Sequence, residues 1–200
     1  MTFRVFALLL VVSGLTSGCS INHYVAQDYD QYLVNNQGRN NLPETGLVAS
    51  YNLTESTENH RTEFRAATVG YANLWIVEFG EILESTLRSR DVQMAFEELS
   101  RKMPDASGGE LHVVFELIKY EFVDYGAHIN LRITLLDEGR PAFIQDYQAD
   151  GLTQTGKMWG AGVFGMKNAI HQSTKLAMDE ILRDFLADLT SYAQPGMRAP

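Results

Sequence analysis

Two strings in the sequence have the outline of phosphate-binding loops. Gly151, Gly156 and Lys157 are spaced as in GxxxxGK, but the next residue is Met158, which has no hydroxyl to offer a magnesium ion. Gly160, Gly162 and Gly165 match GxGxxG ahead of a helical pattern. A dinucleotide fold needs a parallel βαβ unit with an acid closing its second strand, and here the chain runs through one helix and stops. Neither string meets its requirements, so the glycines are expected to form a strand-to-helix passage. His23, His60, His112, His128 and His171 are scattered, with no HExxH and no paired ligand spacing. No GxSxG or SxxK string occurs, although a triad is a matter of geometry that spacing alone does not reveal. The expectation is no metal, no cofactor and no catalytic residue.

One chemistry-bearing residue stands apart. Cys19 is the sole cysteine among 200 residues, so no internal disulfide can form and an exported thiol needs another use. What precedes it reads as a secretory signal: Arg4 near the start, an apolar run from Phe6 to Val12, then small residues. That run is about half of the ~20 residues a membrane-spanning helix requires.

Leu15, Thr16, Ser17, Gly18 and Cys19 resemble the lipobox of bacterial lipoproteins. The resemblance implies a diacylglycerol on the sulfur, cleavage before Cys19 and acylation of the new amino terminus. The pattern departs at Thr16, where the family favours Leu; Leu15 sits one position too early. Several acyl chains make anchoring stable, since each buried methylene contributes roughly 0.8 kcal/mol. In the sorting rule that the resemblance implies, Ser20 in place of Asp directs the protein to the outer membrane, on its periplasmic side.

Residues 1–18 carry one Arg and no acid, so their removal takes the net charge from −9 to −10. An acidic body argues against nucleic acid, which needs clustered Lys and Arg. It also leaves membrane attachment to the lipid. About 180 residues then remain, enough for a single domain with its own core.

Residues 19–45 are rich in Asn, with Gly38 and Pro43, and read as a lipidated tether; Tyr24, Tyr29 and Tyr32 give part of it a surface for docking. The domain is expected over 46–192, with a tail over 193–200. Strands are expected at Leu47–Leu53, Phe64–Val69 and Val92–Phe96, and a helix at Leu74–Arg88. Leu111–Val123 is a long strand whose alternation slips near Lys119, suggesting a bulge. His128–Leu136 alternates cleanly, and Ala142–Ala149 follows a turn at Asp137–Arg140. A final helix over Val163–Ser191 presents Ile170, Thr174, Ala177, Met178, Ile181, Phe185 and Leu189 as its buried stripe. The fold class is α+β, a mostly antiparallel sheet of four to six strands with two amphipathic helices on one face.

The glycine-rich passage also carries Met158, Trp159, Phe164 and Met166. Its large apolar groups either cover the sheet or form a candidate partner-binding loop, for which Met158, Trp159 and Phe164 are the residues. The layout of anchor, tether and small α+β domain resembles a broad group of envelope lipoproteins. The group includes penicillin-binding-protein activators, the curli secretion lipoprotein, auxiliary lipoproteins of lipid transporters and lipopolysaccharide-assembly lipoproteins. That resemblance implies a non-enzymatic adaptor or assembly factor with an envelope protein partner. The alternatives are an auxiliary component of lipid or glycolipid transport, which needs an apolar groove, and a periplasmic hydrolase, which needs converging titratable groups.

Overall fold

The computed structural model describes residues 20–38, 42–103, 111–152 and 162–194. Its content is mixed α and β, in a three-stranded and a five-stranded sheet with one long C-terminal helix.

The best-patterned residues build the largest unit. Strands β6 (Leu111–Val123), β7 (Gly126–Asp137) and β8 (Arg140–Asp150) form an antiparallel meander. The register of β6 slips between Leu117 and Lys119, where the alternation also slips. The backbone N–H of Leu117 at this bulge donates to Thr57 Oγ1 at 2.7 Å, so that donor is satisfied from outside the sheet. The β7–β8 turn puts Glu138 and Gly139 at φ 51° and 74°, the left-handed pair that a tight hairpin needs. The β6–β7 turn does the same with Asp124 and Tyr125, at φ 50° and 63°, without a glycine. Helix α5 (Gly162–Ala193) packs on β7 and β8 with its expected stripe buried.

Strand β2 (Val48–Leu53) joins the far side of β6 and runs parallel to it, and β5 (Glu98–Arg101) runs parallel to β2 at the edge. The sheet is therefore mixed rather than mostly antiparallel. A short helix, α2 (Glu55–Glu58), follows β2; Thr54 caps it by accepting from the Thr57 N–H.

The second sheet was not expected. It has the order β1–β4–β3, from β1 (Ile21–Tyr24), β4 (Asn73–Glu78) and β3 (Arg61–Phe64). The strand expected at Phe64–Val69 lies earlier, and Ala67–Val69 is a single 3-10 turn. The helix expected from Leu74 starts only at Phe79: β4 precedes α3 (Phe79–Arg88). Trp75, Ile76 and Val77 are all fully buried, so β4 reads as an unbroken apolar run that periodicity cannot tell from a helix. The strand expected at Val92–Phe96 is instead the end of the short helix α4 (Arg90–Gln93) and the turn that follows it.

Residues 21–35 are a correction to the tether over 19–45. After β1 comes a 3-10 turn and helix α1 (Tyr29–Asn35), and Val25, Tyr29 and Leu33 are buried in the core. Each side chain of this size contributes roughly 2 kcal/mol on burial, which outweighs the turn-forming tendency of the surrounding Asn residues. His171 of α5 fastens the segment: its Nε2 donates to the Val25 carbonyl at 2.7 Å, and its ring lies 5.3 Å from that of Tyr29. Lys167 forms an ion pair with Asp28.

Candidate functional site

Cys19, Met158 and Trp159 lie outside the described residues. Phe164, in the first turn of α5, is 85% exposed, whereas Met166 two residues on is buried. Phe164 therefore does not cover the sheet; Met166 is the residue that does core work.

Sequence reading missed a groove between α1, α3 and α4. Helix α3 stops at Arg88 because Ser89 is extended, at φ −62° and ψ 151°, and α4 restarts at once. Gln93 Nε2 donates to the Leu87 carbonyl at 2.8 Å and closes the corner. Depressions of about 530, 380 and 580 Å³ adjoin one another around this corner. They share Gln37 and Arg90 on one side and Glu84 and Arg88 on the other. Val34 and Met94, which line the groove, are 55% and 58% exposed. Arg88 and Arg90 form no ion pair among the described residues.

The groove's floor is polar and held. Tyr51 Oη donates to Glu84 Oε1 at 3.2 Å, and Arg101 sits 3.3 Å from Glu84 Oε2 while also pairing with Glu58. Burial, together with the neighbouring Glu84 carboxylate, pushes the Tyr51 phenol well above its usual range, so it remains a donor at any physiological pH. Open shape, exposed apolar side chains and free guanidinium groups suit a protein surface better than a small enclosed ligand.

A second polar cluster has the connectivity of a hydrolytic triad. Ser50 Oγ lies 2.8 Å from His112 Nδ1, and His112 Nε2 lies 2.7 Å from Asn52 Oδ1. Asn52 Oδ1 can only accept, so Nε2 carries the ring proton and Nδ1 accepts from the Ser50 hydroxyl. The Asn52 amide is committed to the Leu53 carbonyl at 3.0 Å. All three side chains are buried, Ser50 and Asn52 on β2 and His112 near the start of β6, and none lines a described depression. Burial holds the His112 pKa below its usual value. The three groups satisfy one another and pin the β2–β6 register, which a parallel pair with a distant partner requires. Among the described residues, no group of His, Cys, Asp or Glu is placed to hold a metal ion, and no helix is long and apolar enough to cross a membrane.

No family model matches the chain, and no curated protein matches it. Among solved structures, protein XCC0632 from Xanthomonas campestris, described under the family label DUF330, aligns with a TM-score of 0.43 at 14% identity, over 76% of this chain and 85% of its own. The hypothetical protein CT253 from Chlamydia trachomatis aligns with a TM-score of 0.37 at 14% identity, over 72% of this chain and 96% of its own.

Proposed function

We propose that this chain is a bacterial envelope lipoprotein, fixed by a lipid on Cys19 to the periplasmic side of the outer membrane, and that it acts as a non-enzymatic adaptor. Helices α3 and α5 lie on one face of the five-stranded sheet, and the groove at the α3–α4 corner receives a protein partner. The observation that carries this reading is the pairing of exposed Val34 and Met94 with Arg88 and Arg90 in one open groove. Tethering raises the local concentration of whatever the groove holds. The lipid-carrier reading is less well supported, because Trp75, Phe115 and Phe185 fill the described core and the described depressions are lined by charged groups. The hydrolase reading has only the buried Ser50–His112–Asn52 chain.

A photo-crosslinking residue placed at Met94 in intact cells tests the groove. The expected result is a discrete adduct with one envelope protein, lost when Arg88→Glu and Arg90→Glu are combined. An adduct that persists in that double variant, or none at all, sinks the adaptor reading. Metabolic labelling with a clickable fatty acid tests the anchor: label should be lost in Cys19→Ser.

A further inference from the structure

We infer that the folded domain sits directly on the lipid headgroups, with a lip formed by Ile21, Arg65 and Tyr71 as its membrane-facing surface. The inference rests on the reading of Cys19 as the lipid-bearing residue. What it adds is orientation and distance.

Consecutive Cα atoms are about 3.8 Å apart, so a lipid on Cys19 places Ser20 at the level of the headgroups. From Ser20 onward the chain has no slack. Arg65 donates through one guanidinium nitrogen to Ser20 Oγ at 3.1 Å and through another to the Tyr71 carbonyl. The Ile21 N–H donates to the Ala72 carbonyl at 2.8 Å, β1 pairs along β4 from Ile21 to Tyr24, and the Val25 N–H closes on the Ile76 carbonyl at 2.9 Å. The strand that begins two residues after Cys19 is thus bolted to the fold.

The surface beside that point suits a bilayer interface. Ile21 is 54% exposed and Tyr71 is 71% exposed. Gly70, at φ 89°, makes the turn that leads into Tyr71. The connection from Arg65 to Ala72 contains no carboxylate, in a chain whose net charge is −9. Tyrosine favours the headgroup boundary because its ring is apolar and its hydroxyl wet. Arginine has five N–H donors, and its planar fork matches phosphate oxygens. An aromatic, an aliphatic two residues from Cys19 and one guanidinium, with no carboxylate from Arg65 to Ala72, point to a phospholipid surface as the occupant.

The test uses the full chain purified from membranes and reconstituted in phosphatidylcholine–phosphatidylglycerol vesicles. With the Cys19 sulfur acylated, a single introduced cysteine can carry an environment-sensitive dye. Tyr71→Cys reports on the lip. Glu138→Cys reports on the far end of β7, because Phe64, just before Arg65, stacks on Phe122 at 5.3 Å near the other end of that strand. The length of β7 puts the two sites on the order of 35 Å apart. Spin-labelled lipid should quench the dye at 71 several-fold more than the dye at 138. Equal quenching at the two positions, in protein whose acyl chains are verified by mass spectrometry, overturns the orientation and leaves the anchor standing. Absence of acyl chains on Cys19 overturns both.

Discussion

The two sheets are assembled from different kinds of neighbour. In the meander, β6, β7 and β8 follow one another directly, and each pairs with the next through a two-residue turn. In the three-stranded sheet, β1 pairs parallel to β4, with Ile21 opposite Asn73, and the two are separated by β2 and β3 of the chain. The meander closes at little entropic cost before its contacts form, whereas β2 joins it from a distance. The three-stranded sheet depends on distant partners and on α5, which reaches it through His171 and Lys167. The difference predicts that the N-terminal sheet is the less independent of the two.

The largest effect should come from Asp179. It accepts from Lys175 Nζ at 2.7 Å, and both side chains are buried on α5. Asp179→Ala leaves a buried cation uncompensated, which should cost about 4 kcal/mol in urea unfolding, whereas Lys175→Met with Asp179→Leu should be close to neutral. Hydrogen exchange in Asp179→Ala should rise in β1, β3 and β4 well before the meander. Equal loss in both sheets would break the distinction drawn above.

Two glycines extend the comparison. A Cβ on Gly80 would lie 2.4 Å from the Glu58 carbonyl oxygen, and one on Gly151 would lie 2.1 Å from that of Ser173. Each clash is with backbone, so no rotamer relieves it. Gly80→Ala and Gly151→Ala should each cost about 3 kcal/mol by denaturant titration. Gly151→Ala pushes α5 off the meander and should expose both sheets; Gly80→Ala, at the start of α3, should expose the N-terminal side first.

The smallest effect is a pH dependence. Burial lowers the pKa values of His60, His112 and His171 in the fold. The unfolded chain then binds more protons than the folded one once pH drops below about 6.5, so stability is complete above that pH and falls beneath it. A thermal scan series should show the midpoint declining by roughly a few degrees from pH 7 to pH 5. His171→Gln, which can still donate to the Val25 carbonyl, should flatten part of that decline; an unchanged slope would show that His171 does not titrate with unfolding.

Legibility followed the same division. The bulge near Lys119 and the turn at Glu138–Gly139 rest on strand partners close in sequence, and the stripe of α5 shows in the helix's own 3.6-residue period; all are readable. Trp75–Val77 was read as helix because a strand buried on both faces has no alternation to display. The segment around Val25 and Tyr29 was read as tether because its apolar residues are few and their partners lie on β4 and α5. The groove left no motif at all. Arg88 marks only the end of the expected helix in the sequence, and Val34 and Met94 gain meaning when α1 and α4 meet.

The hydrogen bond between His171 and Val25 spans 146 positions of the chain. Ribosomes deliver a polypeptide from its amino end, so Val25 arrives early and waits. Its seat is complete only when the first half of the last helix has been delivered. The residues delivered first are therefore the last to be secured, and any factor that meets the nascent chain finds an open amino-terminal layer until nearly the whole chain has emerged.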